Sequence, residues 1–490
     1  MPFTRTSRLA MPRAMIFAAA RMVVAVFFLL IQWVNVARAE EPLWRATLSA
    51  ETHIGALQED LFLGTSLQID QRLFLPQLGA SWLPDDSPNA RTSLRLLVQA
   101  PLRLRVLDRA PQQPGLLREE DWDQPRDLFR VVRRLDYGEP GTPFVLRLGE
   151  LNGVTLLDGS ALAHYFNVVN PDHPASGVLL SSHARAYDAS FLLDDVLSPG
   201  VTAAAVLVRP AVLLDRSPLL QRLGVGAQLV ADVQAPTQLA RDDSGFVEVD
   251  ATSSPTILDS QATFIGGPTL EVWLLARDRI SLAASGHVLW HARLGRGEHA
   301  GLSLQWYAAH WMRAQLKSAV ILAHDRYVPR YISPLYQVER YQTQGLGASL
   351  PAPKLRVVAN DLAPRQDLYI DSSILLELPT LESSLLVSYL HARETPDADQ
   401  LTLIATTKPV DELVTLTLFY HQNLFEDFSR SISLTRSLVG SELRVAPWGP
   451  LYVVGRYDRL FRLRDDGRWS SLQNWNVGIG AQWAFEASPR

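Results

Sequence analysis

The chain has 490 residues, 47% of them hydrophobic and 20% charged, with a formal net charge of −5 and no cysteine. An acidic balance argues against a nucleic-acid partner, and the missing thiols exclude a disulfide framework, thiol catalysis and thiolate metal sites. Composition alone leaves open two or three soluble domains or one large β structure.

Residues 1–39 carry Arg5, Arg8, Arg13, Arg21 and Arg38, with no acid before Glu40. An apolar run from Met22 to Val34, broken only by Gln32, leads to Ala37-Arg38-Ala39. A basic segment, an apolar stretch of about 7–15 residues and small residues at the cleavage positions describe a secretory signal peptide. The rival reading is a membrane anchor, but a spanning helix needs about 20 apolar residues. Cleavage before Glu40 removes five arginines and no acid, so the mature chain is more acidic still.

From there the chain alternates. Side chains of a strand point to opposite faces with period two. Residues 94–106 set Leu94, Leu96, Val98, Ala100, Leu102, Leu104 and Val106 on one face and Arg95, Leu97, Gln99, Pro101, Arg103 and Arg105 on the other. Residues 223–233 set Leu223, Val225, Ala227, Leu229, Ala231 and Val233 against Gly224, Gly226, Gln228, Val230 and Asp232. Residues 368–378 set Leu368, Ile370, Ser372, Ile374, Leu376 and Leu378 against Tyr369, Asp371, Ser373, Leu375 and Glu377. Shorter patterns occur at 44–50, 302–308, 414–420 and 432–434. A soluble sandwich also alternates. The long segments exceed the usual strand of about 5–6 residues, however, and only their polar faces carry full charges.

The stretch 108–180 is harder to read. Residues 117–125 are acidic, and Arg126, Arg130, Arg133 and Arg134 suit a helix face or a strand. Residues 156–169 do not alternate. Such a segment either folds into a lumen as a plug or constriction, or makes a plain surface or periplasmic excursion, which is the simpler reading.

Connections differ by side. Pro379-Thr380-Leu381, Lys408-Pro409-Val410-Asp411 and Pro447-Trp448-Gly449-Pro450 read as tight turns, while 394–399, 421–430 and 464–472 are looser. Two long insertions, 235–260 and 324–366, fall with the looser set. Short turns on one rim and long loops on the other characterise outer-membrane barrels. In the first insertion Asp242, Asp243, Glu248 and Asp250 have hard oxygens but no EF-hand spacing, and read as an acidic solvated loop. The second carries Arg326, Tyr327, Arg330, Tyr331, Tyr336, Arg340 and Tyr341. Aromatic faces and guanidinium forks suit sugars, carboxylates or phosphates; the plainer reading is a loop with a small aromatic core of its own.

The last strand, 475–485, is the clearest. Trp475, Val477, Ile479, Ala481, Trp483 and Phe485 make one apolar face with aromatics at both ends, opposite Asn476, Gly478, Gly480 and Gln482. Eleven residues suffice for a tilted strand to cross a bilayer, which takes about 9–11. This segment resembles the closing strand of bacterial outer-membrane β-barrel proteins, which their assembly machinery recognises and which usually ends on an aromatic; here Glu486 to Arg490 follow Phe485. The resemblance implies a location in the outer membrane, with lipid and the assembly machinery as partners. It carries over no solute.

No zinc motif, nucleophile elbow, phosphate loop or dinucleotide fingerprint occurs, so no enzyme, cofactor or metal is expected. The expected architecture is all-β: one antiparallel transmembrane barrel of about 18 strands, within a range of about 16–20, over residues 40–490. Arginine facing lipid at mid-membrane costs about 2–4 kcal/mol, so Arg95, Arg103 and Arg105 should face inward, opposite Asp232, Asp371 and Glu377. Charges so arranged set ion preference in pores. The expected function is a porin-like channel for passive passage of small hydrophilic solutes. The alternatives are a plugged barrel with a structural or assembly role and a secreted soluble all-β binding protein.

Overall fold

The computed structural model describes residues 44–57, 60–76, 91–107, 127, 131–138, 142–169, 175–214, 217–249, 255–308, 311–341, 352–394, 399–410, 413–423, 437–463 and 469–487. The signal-peptide segment 1–39, the acidic stretch 117–125 and the pattern at 432–434 lie outside these residues.

Twenty strands form one sheet. The first eight are β1 Trp44–Leu57, β2 Asp60–Pro76, β3 Arg91–Leu107, β4 Val132–Tyr137, β5 Phe144–Gly149, β6 Gly177–Ala184, β7 Tyr187–Leu193 and β8 Val201–Val208. Six more are β9 Leu223–Leu239, β10 Ile257–Arg277, β11 Ile280–His291, β12 Gly295–Tyr307, β13 Arg313–Asp325 and β14 Arg365–Leu378. The last are β15 Ser383–Ala392, β16 Gln400–Val410, β17 Val414–Asn423, β18 Ser437–Trp448, β19 Leu451–Leu463 and β20 Trp469–Ala487. Each pairs antiparallel with its neighbours in sequence. β1 also pairs with β20, Thr52 opposite Ile479 and Ile54 opposite Val477, so the sheet closes on itself and leaves no edge.

The strand number is therefore 20, not the 18 expected. The discrepancy lies where the pattern was weakest. β4 to β8 run only six to eight residues each, and β8, Val-Thr-Ala-Ala-Ala-Val-Leu-Val, is apolar on both faces. The arginine-rich stretch that suited helix or strand is strand from Val132.

The faces fall as alternation requires. On β20 Ile479 is 69% exposed and Val477, Trp475, Trp483 and Phe485 are also outward, whereas Asn476 is 8% exposed. Val225, Leu229 and Val233 of β9 and Ile370 and Ile374 of β14 are exposed in the same way, with Asp232 and Tyr369 buried inside. A protein surface in water rarely presents a continuous apolar girdle; this barrel is apolar outside and carries its buried charged and polar residues within, beside apolar ones, as suits a wall in hydrocarbon.

The connections 185–186, 278–279, 379–382 and 449–450 are tight and share one rim with the start of β1 and the end of β20. The long connections 150–176, 240–256 and 326–364 all leave the other rim. The insertion expected at 235–260 is shorter than it reads, because its ends belong to β9 and β10.

Candidate functional site

Two of the long connections pack against the inner wall. In the first, Val154 and Tyr165 exchange backbone hydrogen bonds at 3.0 and 2.8 Å, and Gly159 N donates to Leu156 O. This small hairpin bends at Gly159, whose φ of +89° suits glycine. Leu162 then bridges Ile332 of the second connection. Leu151, Leu156, Leu162 and Tyr165 are buried in one apolar cluster with Tyr327, Tyr331 and Tyr336 and with inward residues of the wall. The wall contributes Leu192, Ile265, Leu289, Ile321 and Leu390 there, interspersed with small side chains: Ala203 and Ala205 of β8, Ala235 of β9, Ala323 of β13 and Ala392 of β15. Small residues leave the volume that the inserted chain occupies. Further round, Phe166 packs on Phe419 of β17 at 4.4 Å between ring centres, and Phe461 N of β19 donates to Val169 O.

Polar contacts fix the inserted chain. Arg330 grips Asp371 of β14 with Nε–Oδ2 at 3.0 Å and Nη2–Oδ1 at 2.5 Å, and its Nη2 also reaches Ser388 Oγ of β15 at 2.8 Å. Tyr336 Oη donates to Asp232 Oδ2 of β9 at 2.8 Å, and Arg340 Nη2 donates to its Oδ1 at 3.1 Å. Asp158 meets His287 Nε2 of β11 at 2.5 Å, while His287 Nδ1 lies 3.0 Å from Thr269 Oγ1 of β10. Tyr327 Oη and His299 Nε2 of β12 are 3.0 Å apart. Lys354 Nζ binds Glu339 at 2.5 Å and Tyr331 O at 2.8 Å, and Asn423 of β17 donates to Glu339. Burial raises the Asp158 carboxyl pKa, but the hydrogen bonds and charge of His287, with those of Ser160, overcome it and hold the group well below the usual range. Burial acts against the Arg340 charge, yet Tyr341, Asp232, Tyr336 and Asp194 keep it firmly protonated.

The two candidate sets proposed from sequence are thus joined. Asp232 and Asp371 meet Arg340 and Arg330 of the inserted loop, and Glu377 meets Arg313 of β13 at 3.3 Å. They do not pair with the arginines of β3. Arg95 instead holds Asp70 of β2, at 2.8 and 2.6 Å; Arg103 stands opposite Gly64; Arg105 lies over the Phe62 ring at 5.8 Å. In the loop, Arg326 donates to Leu362 O at 2.7 Å, Tyr331 lies 4.8 Å beneath Lys354, and Arg340 covers Tyr341 at 5.2 Å. Its tyrosines therefore pack on the wall as well as on one another. In the third connection Asp242 Oδ1 accepts from Ser244 N and Phe246 N, both at 2.9 Å.

Between the inserted chain and the rim of tight turns lies a chamber of about 540 Å³. Its wall includes the inward hydroxyls of Ser181, Ser190, Ser281, Ser285, Ser303 and Ser373, with Gln305 and Gln315. Lys317 of β13 also lines it and, among the described residues, has no hydrogen-bond or ion-pair partner. Asp371 and Arg330, by contrast, are paired across its ceiling. Sequence reading missed Lys317. Its signal was available: an inward parity, set by the exposed Leu316 and Val320 on either side.

Among the described residues no helix is long and apolar enough to cross a membrane, a test that says nothing of barrels. No family model and no curated protein matches the chain. Similar solved structures include Pseudomonas aeruginosa OccK11 (OpdR), 11% identical at a TM-score of 0.31, covering 91% of this chain and 98% of that one. OccK5 (OpdH) of the same organism is 10% identical at 0.32, covering 90% and 98%. P. aeruginosa OpdK, solved with vanillate, is 10% identical at 0.30, covering 90% and 99%. Overlaps of this size assign neither a family nor a solute.

Proposed function

We propose that this chain is an outer-membrane channel whose lumen is narrowed by residues 151–169, 327–341 and 352–362, and that small hydrophilic solutes cross it by diffusion. The observation that carries the reading is the inversion of the closed wall, with an outward apolar girdle and an inward face of hydroxyls, amides and paired charges. A ring of twenty strands is wide enough to hold water unless something fills it, and the inserted connections fill part of it. The signal peptide would deliver the chain for export, and the apolar face of β20 would be read by the barrel-assembly machinery. The rim of tight turns would then face the periplasm, with the long connections outside. Transport would need no reaction and no cofactor; selection would come from width and from charges such as Lys317.

The second reading is a plugged barrel with a structural or assembly role. The ion-paired latches of Arg330 and Arg340 favour it, because each ties the inserted chain to a different strand. Single-channel recording of the folded, purified protein in a planar bilayer decides. Stable steps with a defined ion preference are the expected result. Silence from protein that still migrates as a heat-modifiable barrel would establish the plugged reading instead.

A further inference from the structure

The wall is not of even height. Strands β4 to β8 have 6, 6, 8, 7 and 8 residues, whereas β3 and β9 on either side have 17 each. At a rise of about 3.3 Å per residue and a tilt near 40°, six to eight residues raise the wall by roughly 15–20 Å. The outward apolar band of such barrels is about 25 Å tall. This sector alone is short by roughly 5–10 Å, although its outward residues, such as Phe191 and Val206, are apolar and exposed.

Two connections of this sector expose leucines among otherwise ordinary turn residues. At one rim, 194–200 exposes Val196 and Leu197; at the other, 209–222 exposes Leu214, Leu219 at 73% and Leu220. Elsewhere on that second rim the turns Arg185-Ala186 and Asp278-Arg279 are polar, while Leu381 in 379–382 and Trp448 and Leu451 beside 449–450 are exposed apolar residues too. The leucine-bearing connection does not hang free. Arg209 at its start binds Asp188 and Glu271, each at 3.0 Å, and Arg222 near its end donates to Leu274 O of β10 at 3.4 Å. It is held along the rim between β7 and β10.

We infer that these two connections continue the lipid-facing surface past the ends of β7 and β8, with Leu197 at one edge and Leu214, Leu219 and Leu220 at the other immersed in acyl chains. The occupant is lipid because the leucines prolong an apolar face already turned outward, and because a wall this short would otherwise require the bilayer to thin around it. The inference rests on the membrane-barrel reading above.

The chain has no cysteine, so single-cysteine variants can be labelled cleanly. Leu197→Cys, Leu219→Cys and Leu220→Cys, each carrying a nitroxide on the full-length protein in liposomes, would be compared with Ile479→Cys on the mid-wall and Asp242→Cys on a polar loop. The readout is collision with oxygen, which partitions into lipid, against a water-soluble nickel chelate. The expected oxygen-to-nickel ratio at 197, 219 and 220 is several-fold above that at 242 and close to that at 479. Ratios matching position 242 would overturn the inference and leave the membrane reading intact. Labels shielded from both reagents, with spin–spin broadening between protomers, would overturn it in favour of a second copy covering the low wall. An aqueous ratio at Ile479 would sink the membrane reading itself.

Discussion

If the barrel conducts as proposed, Lys317 has more leverage over what crosses the lumen than any residue in the paired set. Opposite charges held 2.5–3.3 Å apart, as in Arg330–Asp371, Arg340–Asp232 and Arg313–Glu377, largely cancel one another at the distance of a passing ion. An ammonium with no hydrogen-bond or ion-pair partner among the described residues, beside a chamber of about 540 Å³, does not. Lys317→Glu is therefore expected to move the reversal potential in a salt gradient toward cation preference, while Lys317→Gln should lie between. An unchanged reversal potential in both would place the selecting charge elsewhere. On the outer face the same physics penalises charge. Ile479→Arg puts a guanidinium into hydrocarbon at about 2–4 kcal/mol and should cut the heat-modifiable fraction sharply. Asn474→Arg is the inward control, since Asn474 lies 3.4 Å from the Asp458 carboxylate. Gln482 would serve less well, because Arg444 already donates to it. Equal yields of the two variants would refute the assignment of faces.

The inserted connections respond to pH as elements, through His164 and Asp158. His164 sits beside Thr155 in the chamber. Burial depresses its pKa, and the nearby charges of Arg330, His421 and Lys317 depress it further. Its folded value lies below the free imidazole value of about 6.5. Protons therefore bind more readily once the segment has left its seat, so docking is strongest above about 6.5 and weakens as pH falls toward the folded pKa. Asp158 behaves differently: its depressed pKa keeps the His287 contact until pH falls below the ordinary carboxylate range. Between pH 7 and 5 the expected result is increased open-channel noise that His164→Asn abolishes; identical pH profiles in the two proteins would exclude His164 as the cause. Sequence made β20 legible because one face is wholly apolar and the other polar, and β9 and β14 for the same reason. It hid β8, where the inserted chain covers the inner face and leaves both faces apolar. The latches were hidden too, since Tyr336 and Asp232 are 104 residues apart and period-two patterns say nothing across that span. Each candidate was visible as a residue, but the pairing of loop arginines with wall carboxylates depends on closure of the ring.

At the scale of the whole molecule, closure and filling are separate tasks carried by separate residues. Closure rests on strand pairing all round, including the fourteen-residue β1 joined to β20; filling rests on two connections that contribute no strand to the wall. Removing the fill should therefore widen the lumen without opening the barrel. Replacing 154–165 with a short Gly-Ser link deletes Leu156, Leu162 and Tyr165 from the interior cluster, and also removes the Asp158–His287 contact. The expected variant remains heat-modifiable, because β5 and β6 keep their pairing, and conducts several-fold more than the native protein. The buried partners it strands, His287 and Asp194, lie on the inner side, where water entering the wider lumen can solvate them. A narrower exchange, Arg330→Met with Asp371→Leu, replaces one buried ion pair by apolar contact without leaving a lone charge, which would cost about 3–5 kcal/mol. It should keep the native conductance if the pair merely fastens the segment, and raise it only if the pair's charges hold the passage closed. Native conductance in the deletion variant would mean that solutes take a path clear of residues 154–165. Loss of the barrel would mean that the inserted chain is part of what the wall folds around.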